Sequence, residues 1–396
     1  MTPPPPAAAS RNRRAGFIGA IAGLAAAGVA AGVATERYLI NKARTDPHDP
    51  YIDEPFGELS ADRIQTVTTA DGVPLHVEIV ESPGEEAAAT AVFVHGYCLD
   101  EGTFHFQRRG LEQSGLPVRA VYYDQPGHGQ SGELPKDVYG IDELADSLYA
   151  VIAQTVPSGP IILTGHSMGA MTIMVFARRY PKLFAERVKG VALLSTSGGG
   201  LDKVTFGAPR ALMRARRLFL PLLTRAASLT PAGIDHARRV AGDLAWVLTR
   251  RYGFATSKPS PNLVSYVEYM NTNTPIKTVI GYALALLEHD ERDKLDCLSD
   301  VPVLVCCGKD DNFTPAEHSV LLSQLLPHSR LVLIPEAGHV AVLEKPDAVT
   351  QPLLETFNDI LSALGSGAPV SKSLRSGESS SSTPFRRKNR SQRKGV

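Results

Sequence analysis

The sequence predicts an α/β fold: a doubly wound, mostly parallel sheet of eight strands, flanked by helices and interrupted by a helical insertion. Strand-length apolar runs alternate with helical stretches from residue 60 to residue 364, as in consecutive βαβ units. Runs such as Ala91-Val92-Phe93-Val94 are apolar at every position, as a strand covered on both faces requires. Residues 197–296 break the alternation with helical pattern alone, which marks them as a cap inserted between two strands.

The elements follow in order. Ile64–Thr69 and Leu75–Val80 form a hairpin about the Asp71-Gly72 turn. Strands then fall at 91–94, 118–123, 160–164, 191–195, 301–307 and 331–334. Helices fall at 141–156, 170–179, 316–326 and 347–364. Cys306 and Cys307 are adjacent on a strand, so their side chains point to opposite faces. No repeat of solenoid length is present.

Forty-one basic and forty-one acidic residues cancel over 396 positions, so the average charge gives no case for nucleic acid and charge is read locally. Four cysteines, Cys98, Cys297, Cys306 and Cys307, are too few and too unevenly spaced for a disulfide scaffold or a zinc site. No metal or cofactor is expected. The folded domain is expected at 60–364, behind a leader at 1–14, an apolar segment at 15–35 and a linker at 36–59. A Ser/Gly-rich tail that turns basic closes the chain at 365–396.

Residues 15–35 contain no charged side chain and are just long enough to span a bilayer as a helix. They are expected to anchor the chain in the cell membrane by a single pass with the main domain outside. The alternatives are a secreted protein cleaved near Ala31–Ala34 and a buried or disordered Ala/Gly helix. Between Lys203 and Lys258 eleven Lys/Arg stand against Asp235 and Asp243. This basic part of the cap reads either as a solvated face or as a surface over the active site that meets anionic lipid headgroups or an anionic substrate.

The chemistry centres on Gly165-His166-Ser167-Met168-Gly169, between an apolar strand and an apolar helix. A serine on such a turn stands exposed at the top of a sheet, with the helix N-terminus favouring developing negative charge. Serine is a weak nucleophile at neutral pH, so Ser167 needs a base, and the base needs an acid to orient it. Candidates sit at the ends of later strands: Gly308-Lys309-Asp310-Asp311 through Pro315, and Gly338-His339. The carboxyl ends of parallel strands share one sheet edge, so these segments converge.

These motifs, in the order Ser, Asp, His, resemble the α/β-hydrolase family. His95-Gly96 after a buried strand and Asp124-x-x-Gly127-His128-Gly129-x-Ser131 resemble the same family's oxyanion and turn segments. The resemblance covers about residues 60–364, less the cap. It implies that Ser167, His339 and Asp311 form a catalytic triad, with Asp310 as the other candidate acid. It also implies that the backbone N–H groups of Tyr97 and Met168 form an oxyanion hole, supported by His95, Gly96, Gly165 and Gly169. His95, His128 and His166 read as structural histidines, and Cys98 as a small residue near the pocket mouth.

The implied function is a lipase- or esterase-like serine hydrolase acting on a small-molecule or lipid ester. Thioesterase, amidase, C–C hydrolase and cofactor-free haloperoxidase-like chemistry use the same residues. Epoxide hydrolases and dehalogenases carry aspartate in place of Ser167. A non-catalytic binding protein on this fold is the alternative of another class.

Overall fold

A computed structural model describes residues 46–84, 86–134, 138–204, 249–256 and 258–367. The strands are β1 Arg63–Thr68, β2 Pro74–Val80, β3 Ala89–Val94, β4 Val118–Tyr123, β5 Ile161–His166, β6 Val188–Leu194, β7 Val303–Gly308 and β8 Ser329–Ile334. They form one eight-stranded sheet in the order β1-β2-β4-β3-β5-β6-β7-β8. The first two strands are antiparallel additions at one edge, and every pairing from β4 through β8 is parallel. The fold class is the expected one. At the hairpin turn Gly72 takes a φ of 87°, a conformation that favours glycine.

The described helices are α1 His105–Ser114, α2 Ile141–Thr155, α3 Met168–Arg179, α4 Pro181–Arg187, α5 Pro261–Asn273, α6 Ile276–Glu288, α7 Ala316–Leu325, α8 Ala341–Glu344 and α9 Pro346–Ser366. Sequence reading missed α1, α4 and α8. The segment before β7 contributes α5, α6 and a π-helical turn at Thr249–Gly253. Its stems meet where Gly199 bridges Asp290 and the Glu291 N–H donates to the Gly198 carbonyl at 2.8 Å.

Two apolar cores lie on opposite faces of the sheet, and strand alternation divides the residues between them. Val92 and Val94 face α2 and α3, whereas Ala91 and Phe93 face α1 and α9. The same split runs through β4, β5, β6 and β7, which explains why each is apolar at successive positions.

Of the stretch read as a linker, residues 46–59 pack on the domain: Asp49 is 4% exposed and Phe56 stacks on Tyr266. The expected membrane segment at 15–35, the tail from 368 and most of the basic part of the cap lie outside the described residues. Among the described residues, no helix is long and apolar enough to cross a membrane.

Phe357 on α9 is fully buried and lies with its ring centroid 6.4 Å from that of Phe93. Phe357→Ala removes that filling from one face of the sheet. The expected loss of stability is about 3–5 kcal/mol, read from urea unfolding.

Candidate active site

Ser167 occupies the step between β5 and α3 with φ 52° and ψ −116°, a conformation that non-glycine residues rarely take. It is held there from both sides. The Ser167 N–H donates to the Leu194 carbonyl at 2.9 Å, and the Thr196 hydroxyl donates to the Ser167 carbonyl at 2.8 Å. The flanking glycines are needed for close approach: a Cβ on Gly169 would lie 2.0 Å from the Val94 carbonyl oxygen, and one on Gly165 would lie 2.5 Å from the Ala170 nitrogen. The turn therefore nests against the end of β3.

The Ser167 hydroxyl meets His339 Nε2 at 2.9 Å, and His339 Nδ1–H donates to Asp311 Oδ2 at 2.8 Å. Asp311 follows β7 and His339 follows β8. Gly308 is the last residue of β7, and a Cβ there would stand 2.1 Å from the Ala337 carbonyl oxygen. Its absence lets the His339 loop cross over the Asp311 loop. The Asp311 carboxylate is also the acceptor for the Phe313 and Thr314 N–H groups, at 2.8 and 2.9 Å, and for the Thr314 hydroxyl at 2.8 Å. Burial opposes its ionisation, yet the His339 imidazole and these donors outweigh it and hold the carboxyl below its ordinary range. Asp310 is exposed and its amide N–H donates to the Ala337 carbonyl. It is Asp311 that lies against His339.

The loop after β3 completes the surroundings. Among the described residues, neither the Tyr97 nor the Met168 backbone N–H has a protein acceptor. His95 and His128 stitch this loop to the one after β4. His95 Nε2 is the acceptor for the Gln125 N–H at 2.8 Å while its Nδ1–H donates to the Gly96 carbonyl at 2.8 Å. His128 Nε2 is the acceptor for the Cys98 N–H at 3.2 Å, and its Nδ1–H donates to the Pro126 carbonyl at 3.0 Å. His166 Nε2–H donates to the carbonyl of His339 at 3.0 Å, which ties the residue before Ser167 to the residue bearing the imidazole. Burial pushes His128 down to about 4, His166 down to about 3, and His95 well below its ordinary value. All three are neutral rings that accept or donate in fixed tautomers. Gly96 is fixed by the same packing, since a Cβ would stand 2.7 Å from His166 Nδ1.

Ser167 and His339 open into a cavity of 490 Å³. Met171, Val267, Val279, Ala283, Leu286 and Leu287 give it an apolar wall, drawn largely from α5 and α6, and none of its described lining residues is Asp, Glu, Lys or Arg. Cys98 lines it too, with its thiol pushed up to about 12 by burial. Three supporting contacts escaped the sequence reading. Thr314 holds Asp311. Glu344 accepts from the Gly338 N–H at 2.6 Å and the Ala255 N–H at 3.0 Å, fixing the His339 loop against the cap. The Tyr97 phenol donates to the Val279 carbonyl of α6 at 2.5 Å. Thr314 and Glu344 lie next to the Asp311 and His339 motifs visible in the chain, whereas nothing local signals the contact of Tyr97 with Val279.

The profile of the alpha/beta hydrolase fold family matches residues 92–346. A pimeloyl-[acyl-carrier protein] methyl ester esterase from Nitrosomonas europaea is 26% identical over 65% of this chain and 90% of its own length. Lipase 1 from Psychrobacter immobilis is 23% identical over 76% of this chain and 85% of its own length. Among solved structures, a thermophilic esterase from Thermogutta terrifontis superposes with a TM-score of 0.58 at 25% identity, covering 75% of this chain and 99% of that one.

The buried histidines make stability depend on pH. Unfolded imidazoles bind a proton below pH 6.5, whereas folded His128 binds none until about pH 4. The unfolded state therefore holds more protons across that window, and stability falls as pH drops through it. His128→Gln is expected to flatten the stability-versus-pH slope between pH 6.5 and 4 by about 1.4 kcal/mol per pH unit, measured by urea unfolding at stepped pH. An unchanged slope would show that His128 is protonated in the fold.

Proposed function

The chain belongs to the alpha/beta hydrolase fold family and is an enzyme acting on ester bonds; from that premise we propose that it cleaves uncharged carboxylic esters through an acyl-enzyme on Ser167. The observation that carries this reading is the contact of Ser167 with His339, and of His339 with Asp311, at the floor of an apolar cavity.

In the proposed reaction the Ser167 oxygen attacks the acyl carbonyl while His339 Nε2 takes its proton. The charge on the carbonyl oxygen is met by the Tyr97 and Met168 N–H groups, a contribution of roughly 2.7–4 kcal/mol per donor in comparable sites. Collapse breaks the bond to the leaving alcohol, which takes the proton from His339. Water then repeats the sequence on the acyl-enzyme and restores Ser167. Asp311 stays ionised and stabilises the imidazolium formed in each half.

The lining supports the choice of substrate. A carboxylate or phosphate placed against the described wall would lose its hydration without meeting a cation, so an apolar acyl group or alcohol suits the cavity better. The relatives are named for esterase and lipase activity, which agrees with an oxygen ester as the scissile bond. The uncharged run at 15–35 supports, from sequence alone, tethering of this domain to a bilayer.

Ser167→Ala is expected to lower ester turnover by roughly 10⁴-fold or more while leaving the unfolding midpoint near that of the parent. Retention of more than about a tenth of the activity would exclude Ser167 as nucleophile. A matched panel of esters, thioesters and amides separates the three leaving groups, with oxygen esters expected to be fastest. Deletion of residues 1–35 is expected to release the protein from sedimenting membranes, and continued sedimentation would move the membrane contact to another segment.

A further inference from the structure

Residues 46–58 form the segment that sequence reading placed in a linker. Asp49 is 4% exposed, yet its carboxylate is fully engaged: Oδ1 is the acceptor for the Tyr51 N–H at 2.9 Å and the Ser260 hydroxyl at 2.7 Å, and Oδ2 for the Asn262 N–H at 2.9 Å. These last two donors belong to the start of α5. Pro261 has no N–H, and the Leu263 N–H donates to Ser260 Oγ at 3.1 Å. Asp49 thus supplies the acceptor that the first turn of α5 lacks within its own sequence, and places a negative charge at the helix N-terminus.

A second contact grips α5 one turn further on. The Phe56 ring stacks on Tyr266 with centroids 4.5 Å apart, and the Tyr266 hydroxyl donates to the Gly102 carbonyl at 3.0 Å. Between the two grips, Glu54 meets His105 Nε2 at 2.7 Å and Arg109 Nη1 at 2.6 Å, both on α1. The segment therefore bolts a helix of the insertion to a helix of the sheet layer. Val267, next to Tyr266, and Asn271, one turn later, line the cavity.

We propose that residues 46–58 are a brace that sets where α5 stands over Ser167, which makes Asp49 and Phe56 positioning residues for selection of the substrate's apolar chain. The proposal rests on reading the cavity as the acyl-binding site. A short acyl group reaches Ser167 without filling the space beside α5, whereas a longer one must pack along Val267. Loosening α5 therefore weakens binding of long chains and leaves the Ser167–His339–Asp311 contacts as they are.

The test uses the full chain with Asp49→Ala, Phe56→Ala and the conservative Asp49→Asn. Each is assayed on p-nitrophenyl acetate, hexanoate and dodecanoate, with fluorophosphonate labelling run in parallel. Expected in both alanine variants is a rise in KM for the longer esters of about five- to tenfold, with kcat, acetate turnover and the labelling rate within about twofold of the parent. A carboxamide in place of the Asp49 carboxylate keeps an acceptor for either the Tyr51 N–H or the Asn262 N–H but not both, and has no charge, so Asp49→Asn is expected to fall between the parent and Asp49→Ala. Amide exchange over 261–273 should quicken in the alanine variants while that over 168–179 does not change.

Unaltered chain-length profiles in both alanine variants would overturn the proposal. So would labelling that slows in step with turnover, because that marks general damage. If Asp49→Ala does not fold, Ser260→Ala breaks the same junction and carries the same expectations. A parent protein that neither takes the label nor turns over any ester would instead overturn the functional reading. The exchange data then decide the brace independently, with unchanged protection over 261–273 counting against it.

Discussion

The backbone at Ser167 is the constraint around which the molecule is arranged. A φ of 52° with a ψ of −116° costs on the order of 1–3 kcal/mol, and only surrounding structure can hold it. Three neighbours do so: β6 accepts the Ser167 N–H, Thr196 donates to its carbonyl, and β3 presses its last carbonyl onto Gly169. The strand order follows suit, with β5 beside β3 and β6 and the Asp311 and His339 loops arriving from the next two strands. Five parallel strands, β3 and β5 to β8, end around the turn, and their ends are where a nucleophile can be met from several directions.

Around this turn, charge is confined to one line. Asp311 is a buried carboxylate fully supplied with donors, while His95, His128 and His166 are kept neutral by burial and serve as rigid hydrogen-bonding blocks. His95 and His128 join the loops after β3 and β4, and His166 joins the end of β5 to the His339 loop. Above them the described cavity wall is apolar. In the proposed reaction, such surroundings would let the Tyr97 and Met168 N–H groups act on a developing oxyanion with little screening from water.

Much of this was legible in the chain because the motif glycines report sterics that sequence cannot avoid. Gly165, Gly169 and Gly308 each stand where a Cβ would strike backbone, so the segments carrying Ser167, Asp311 and His339 could be found and ordered. Strand alternation was equally plain, since both faces of the sheet are covered. Spacing to Gly308 and Pro315 favoured Asp311 over Asp310, and it is Asp311 that is buried against His339. Helix α1 was missed because its buried face includes Gln107 and Arg108, the latter paired with Glu78 at 2.7 Å, so its apolar periodicity is broken by a satisfied polar pair. The brace at 46–58 was missed for a related reason: Asp49 and Glu54 look like linker residues until their partners, more than two hundred positions away for Asp49, are in place. Long-range capping leaves no local pattern.

The most direct measurement is mass mapping of the adduct formed when the folded, full-length protein is treated with a fluorophosphonate. A single adduct on the peptide that carries Ser167, lost when His339 is replaced by alanine, is the predicted result. An adduct on another residue, or equal labelling without the His339 imidazole, would contradict the assignment of Ser167 as a nucleophile activated by His339.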